Sequence, residues 1–304
     1  MKQIIRQLRY GIVPILIAAV WLLCGCGIRT QDTPAVSAMP ENTAVLFSSL
    51  AEIWLDAGGE IAITVGETVE RGFAPEGTPL VDEGAGKTIN LELLLSLEPD
   101  LVIASPDIPA QAEAAEILED AGIPTLLCRV ESFSDYLTAL EAMTAITGNA
   151  DAVSAGQAMQ TEIHSILQAE SADGTPEILF IRAGSTASST KAKLAEDHFA
   201  CAMLEELGCH NIAADAPILL DGLSMEEILL SDPDYIFFSL MGNAESALAN
   251  VQTLLEGETW GQLTAVREGR VVILPRELFH FKPCSRWVEA YRYLADILSG
   301  EGAV

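Results

Sequence analysis

An internal repeat constrains this chain more than any other feature. Residues 91–105, LELLLSLEPDLVIAS, align without a gap to residues 225–239, MEEILLSDPDYIFFS, at a constant offset of 134 positions. Glu92/Glu226, Leu95/Leu229, Pro99/Pro233, Asp100/Asp234 and Ser105/Ser239 match outright, and most other pairs exchange one apolar residue for another. The repeated unit reads as a short helix with an acid near its start, where the helix dipole favours negative charge. A Pro-Asp turn ends that helix, and an apolar run follows that suits a strand buried on both faces. One such unit is common in α/β proteins. Two copies call for two related lobes, each with its own small sheet.

The rest of the chain fits that plan. Strand-like runs at 44–47, 61–65, 101–104, 123–128, 178–181, 235–238 and 271–274 alternate with helical patterns, the signature of an α/β fold with parallel strands. Helices are expected at 50–57, 91–97 and 110–121, the last with Ala114, Ile117, Leu118 and Ala121 on one face and Gly122 just past its end. Ser132 and Asp135 make a capping-box start for another, stopped by Gly148. Between the halves, Ala152, Ala155, Met159, Ile163, Ile166 and Leu167 keep helical spacing over residues 149–171. The expected fold class is therefore α/β: two Rossmann-like lobes with small parallel sheets, joined by one long α-helix. The organisation is an N-terminal lobe at 44–148, a connecting helix at 149–173 and a C-terminal lobe at 174–304.

Residues 1–25 carry Lys2, Arg6 and Arg9, then an apolar run too short for a comfortable bilayer span, which is the anatomy of an export signal. The exit, Leu23-Cys24-Gly25-Cys26, resembles a bacterial lipoprotein lipobox. The resemblance implies that Cys26 carries lipid, which anchors the protein on the extracytoplasmic face of the cell membrane. A plain secretory signal and a single anchor helix are the competing readings. Residues 26–43, with Pro34 and Pro40, read as a tether. Cys128, Cys201, Cys209 and Cys284 remain, at spacings that match no zinc pattern, and the sequence does not pair them.

Charge removes whole classes of partner. With 44 acidic and 16 basic residues the formal net charge is −28. Attraction to phosphate backbones or to anionic lipid needs a basic surface, so neither nucleic acid nor charge-driven membrane binding fits.

In open parallel sheets ligands sit beyond the carboxyl ends of the strands, so the loops there are the candidate cleft. In the first lobe they hold Ser48, Ser49, Glu67, Lys87 and Ser105, and in the second Arg182, Ser239 and Met241. The stretch from Pro275 adds Arg276, His280, Lys282 and Arg286. The cations suit carboxylate or catecholate oxygens, and they equally suit the many surface acids. Trp54, Phe279, Phe281 and Trp287 could wall an apolar cargo, although Trp54 and Trp287 also read as helix-face core.

Several segments together resemble the periplasmic-binding-protein family that serves importers of iron–siderophore, haem and cobalamin. They are Asn90-Leu91-Glu92 leading to Glu98-Pro99-Asp100, Ala121-Gly122-Ile123-Pro124, and the run from Leu207 to Ala213. Ser224-Met225-Glu226 leading to Asp232-Pro233-Asp234, the run from Trp260 to Val271, and Lys282-Pro283-Cys284-Ser285-Arg286-Trp287 complete the set. Cys209 departs from the family, which usually has a second Gly there. The resemblance implies that Glu92 and Glu226 dock on a dimeric ABC permease with its ATPase. Capping of helix dipoles is the plainer role for both acids. It implies a ferric siderophore-type chelate as cargo, with haem or a corrinoid as alternatives, and neither a resident cofactor nor a resident metal.

No nucleophile elbow, P-loop, His-Glu-x-x-His or paired Cys-x-x-Cys occurs, so a binding protein is expected and not an enzyme. A bare zinc or manganese receptor would need converging His and acids, and only four scattered His are present. Ser48, His280 and Glu67 could be written as a hydrolytic trio, but no spacing supports it.

Overall fold

A computed structural model describes residues 39–170 and 174–300. Cys26, the leader and most of the tether lie outside the described residues. Among the described residues no helix is long and apolar enough to cross a membrane.

The first lobe runs β1 (Thr43–Val45), α1 (Ser48–Asp56), α2 (Gly66–Glu70), α3 (Leu91–Ser96), β2 (Leu101–Ala104), α4 (Pro109–Asp120), β3 (Thr125–Leu127) and α5 (Phe133–Thr147). Helix α6 (Ala150–Glu170) follows. The second lobe runs β4 (Glu177–Ala183), β5 (Lys191–Ala192), α7 (Phe199–Glu206), β6 (His210–Asn211), α8 (Ile218–Asp221), α9 (Met225–Ser231) and β7 (Tyr235–Leu240). It ends with α10 (Ala244–Leu255), α11 (Thr264–Arg267), β8 (Val271–Ile273), α12 (Arg276–Phe279) and α13 (Trp287–Leu298).

The repeat is reproduced in three dimensions. In the first sheet β2 lies between β1 and β3, and in the second β7 lies between β4 and β8, all parallel. Register is conserved too: Thr43 pairs with Leu101 as Ile178 pairs with Tyr235, and Thr125 with Val102 as Val271 with Ile236. Glu98 and Asp232, equivalent residues before the repeated prolines, both take the left-handed conformation, with φ of 50° and 42°. The repeated aspartates explain the turn. Asp100 accepts the Glu41 and Asn42 N–H groups, and Asp234 accepts that of Glu177. Each carboxylate fastens the start of the neighbouring strand to the central one.

Three expectations change in detail. The run at 61–65 makes single parallel bridges, Ala44 to Ile63 and Thr64 to Leu80, because the chain turns into α2 at Gly66 before a ladder can form. The second sheet carries one antiparallel edge strand, β5, beside β4. On α4 the buried face is Gln111, Ala114, Ala115 and Leu118, while Ile117 is 42% exposed. Gln111 turns the helix: its buried amide accepts the Ser105 N–H and donates to the carbonyls of Leu46 and Gly86.

Each sheet packs its two faces differently. Val45, Leu101 and Ile103 of the first sheet and Ile178, Phe180 and Phe237 of the second share one core that runs between the lobes. The opposite faces bury Ala44, Val102 and Ala104 in one separate cluster and Leu179, Ile236 and Phe238 in another. Helix α6 packs against both α5 and α13, and Ile163 enters the shared core. The lobes are therefore joined by packed apolar surface as well as by the helix.

Candidate functional site

Side chains alternate along a strand, so the inter-lobe face can be followed to the carboxyl end of each sheet. It ends in Ser105 on the first and in Arg182 and Ser239 on the second, in register across β4 and β7. These are the positions at which a cleft between the lobes would meet its walls.

On the first lobe, Ser48 and Ser49 form the first turn of α1 and are buried. They hold charged neighbours in place and present little surface themselves. The Ser48 hydroxyl donates to Glu67 Oε2 at 2.5 Å and accepts from Arg71 Nη1 at 3.0 Å. Arg71 also pairs with Glu52 at 2.9 Å, and its guanidinium lies 4.6 Å from the Phe73 ring and 4.1 Å from the Phe281 ring. The sequence reading missed Arg71, because no local motif marks it; only the fold brings the ring of Phe281 to it from the other half of the chain. Burial raises the Glu52 carboxyl despite Arg71 beside it.

Lys87 is exposed on the loop that Asp82 organises by accepting the Gly86 N–H at 2.6 Å and the Thr88 hydroxyl at 3.0 Å. Ser105 is buried and its Oγ accepts the Asp107 N–H. Gly86 has φ of 75°, and a Cβ there would sit 2.1 Å from the Leu46 carbonyl oxygen, so this turn tolerates only glycine.

On the second lobe, Arg182 is exposed and has no ion-pair partner among the described residues. Arg276 donates to the carbonyls of Leu240 and Gly242 beyond the end of β7. His280 is half-buried, beside the end of β7. Burial lowers its pKa, with Arg276 adding to that effect and Glu67 of the first lobe opposing it. Met241 is half-buried, and its N–H is held by the Ala183 carbonyl.

The segment from Phe281 to Trp287 belongs to the second lobe by sequence yet lies on α1 of the first. Lys282 reaches Glu131 at 2.5 Å and stands over the Phe199 ring at 5.0 Å. Cys284 is buried, with its thiol on the Ser49 carbonyl. Arg286 is engaged by Glu289 and the Glu277 carbonyl. Of the four aromatic residues considered as walls, Trp54, Phe279 and Trp287 are buried core and only Phe281 is partly open.

Cys128, Cys201 and Cys284 are buried free thiols, and burial pushes the first two up to about 12. Cys209 is buried as well. No group of three or more His, Cys, Asp or Glu among the described residues is placed to hold a metal. Glu92 and Glu226 are exposed in the first turns of α3 and α9, with no hydrogen-bond or ion-pair partner among the described residues. Asn90, not Glu92, caps α3 through the Leu93 N–H.

The family described as "Periplasmic binding protein" matches residues 44–278. The vitamin B12-binding protein of Vibrio cholerae serotype O1 is 26% identical over 277 residues, covering 88% of this chain and 93% of that protein. Among solved structures, the periplasmic vitamin B12 binding protein BtuF of Vibrio cholerae superposes with a TM-score of 0.68 at 20% identity, over 86% of this chain and 98% of that one. The periplasmic heme-binding protein RhuT from Roseiflexus sp. RS-1 gives 0.65 at 18% identity, over 86% and 98%. At these identities the structural likeness concerns the fold.

Proposed function

The chain belongs to the periplasmic binding protein family, and from that premise we propose that it is the lipid-anchored receptor of an ABC importer for a corrinoid. The observation that carries the cargo class is the state of the cleft cations. Arg71 is paired with Glu52, Lys282 with Glu131 and Arg286 with Glu289, and Arg276 is spent on backbone carbonyls. Acids thus neutralise three of the six cleft cations; Lys87, Arg182 and Arg276 keep their charge, with the Glu67 carboxylate opposing them, so a polyanion meets no dense cationic surface. A bulky cargo of low net charge fits that balance, since an unpaired charge in a closed cleft is costly. The Phe73–Arg71–Phe281 stack supplies a flat polarizable surface of the kind a macrocycle covers. The B12-binding relatives agree with this cargo.

A second reading, a ferric siderophore-type chelate, rests on Arg182, whose guanidinium is exposed and without an ion pair. Haem would draw on His280, where burial lowers the pKa and so favours the neutral imidazole that an axial ligand needs. Either way the protein performs no chemistry. It removes the cargo from solvent between two lobes and presents it to a two-fold partner through Glu92 and Glu226, one acid from each copy of the repeat. Lipid on Cys26 would keep the receptor at the membrane where that partner resides.

Parallel fluorescence titrations with cyanocobalamin, dicyanocobinamide, haemin and a ferric catecholate test the cargo. Tightest binding of the two corrinoids is expected. Saturable binding of the ferric catecholate with none of either corrinoid would overturn the corrinoid reading.

A further inference from the structure

Ser239 is held by an unusual neighbour. His198 stands at the N-terminus of α7, where its Nδ1 accepts the Ala200 N–H at 3.2 Å. A backbone amide only donates, so Nδ1 carries no proton, and in the neutral ring the proton sits on Nε2. That nitrogen lies 3.0 Å from Ser239 Oγ. Two aromatic rings fix the imidazole plane, Phe180 at 4.8 Å and Phe199 at 5.0 Å between centroids. Burial, with Arg182 and Lys282 nearby, pushes the ring down to about 3, so it stays neutral across the physiological range.

The serine oxygen therefore receives a hydrogen bond from the ring and keeps its own hydroxyl proton to give. No acceptor for that proton is present among the described residues. Ser239 is 4% exposed, at the inter-lobe end of β7, in register with Arg182. Its equivalent in the other copy of the repeat, Ser105, accepts only a long backbone contact of 3.3 Å from Asp107. The two serines match in sequence, and only one has its donor direction set by a rigid ring.

We infer that His198 is a positioning residue that makes Ser239 an obligate hydrogen-bond donor in the cleft, selecting cargo with an acceptor oxygen, such as an amide carbonyl or carboxylate, at that point. This rests on the cleft being the cargo site. A single neutral hydrogen bond of this kind corresponds to a loss of about three- to tenfold in affinity when removed.

The test is a set of titrations with cyanocobalamin, haemin and a ferric catecholate on the full extracytoplasmic chain. Ser239→Ala should weaken binding of the probe that the wild type binds by that factor, in a variant that circular dichroism shows to be folded although the His198 Nε2–H loses its acceptor. His198→Asn retains an acceptor for the Ala200 N–H, but its shorter amide places no donor at the Nε2 position, and it should lose as much. His198→Gln places a donor near the Nε2 position and should restore affinity. The double variant His198→Asn/Ser239→Ala should be no weaker than Ser239→Ala, because both act through one hydroxyl. Wild-type affinity in Ser239→Ala, or additive losses in the double variant, overturns the assignment and leaves the receptor reading standing. Failure of the wild type to bind any probe overturns the cargo reading and this assignment together.

Discussion

The two lobes copy each other's frame and differ at the rim. Strand order, register, the left-handed residue before proline and the aspartate that fastens the neighbouring strand recur in both. The loops at the carboxyl edges are tied by unlike means. In the first lobe the fully buried Gln111 spans three backbone groups, on Ser105, Leu46 and Gly86. In the second the half-buried Asn250 donates to the Gly184 carbonyl and the Thr190 hydroxyl. One rim contributes Glu67 and the Ser48–Arg71–Glu52 network, and the other contributes Arg182, Arg276 and His280. A sheet pattern survives duplication because every backbone group in it must be paired. A rim loop is free to diverge as long as its own polar groups find partners.

Replacing both Glu92 and Glu226 with Lys should have the largest effect. Uptake is expected to fall to background while cargo affinity stays as in the wild type, measured by transport and by fluorescence titration. Single reversals sharpen the comparison: equal losses mean that the lobes dock equivalently, and unchanged uptake in the double variant breaks the docking proposal.

Gln111→Ala and Asn250→Ala address the rims. Orphaning buried backbone groups costs about 1–3 kcal/mol each, so Gln111→Ala is expected to lower stability by about 3 kcal/mol and Asn250→Ala by about 1 kcal/mol. Equal losses on chemical denaturation would remove the distinction between a rigid and a looser rim. The strand clamps come next. Asp100 accepts two N–H groups and Asp234 one, so Asp100→Ala should cost about 2 kcal/mol and Asp234→Ala about 1 kcal/mol.

The inter-lobe pair Lys282–Glu131 is partly exposed, and Lys282→Met should cost less than about 1 kcal/mol. A larger radius of gyration by solution scattering would show that this contact also restrains the lobes. Smallest is a pH effect. In Asp232 the Thr264 hydroxyl and N–H hold the carboxyl below its usual range. In Asp82 burial raises the carboxyl, but bonds from Gly84, Thr88 and Gly86 outweigh it and the net shift is downward. A depressed carboxyl contributes stability that is present above about pH 4 and lost as pH falls through the folded value. Asp82→Asn and Asp232→Asn should each flatten the acid limb of the stability profile, one for each lobe.

Much of the frame was legible because it is local. The capping box at Ser132 and Asp135, the left-handed stop at Gly148 and the α6 periodicity each depend on residues within one helix. The face of α4 differs from its apolar pattern because the Gln111 amide is drawn inward by the Ser105 N–H and by the carbonyls of Leu46 and Gly86, which lie elsewhere in the chain, leaving Ile117 outside. Lys282 and Arg286 looked alike as loop cations. One crosses to Glu131 of the other lobe, and the other is engaged three residues along its own chain by Glu289. Arg71 was invisible because its partners come from α1 and from Phe281, more than two hundred positions away in sequence.

Sequence alone determined that there are two lobes, where their central strands lie and which acid opens each repeated helix, because period and repetition are properties of neighbouring residues. Only the tertiary structure decided which cations are already neutralised, which serine faces a fixed imidazole and how the last segment of the second lobe closes on the first. Those depend on contacts between residues far apart in the chain, and packing chooses them after the local pattern has been satisfied.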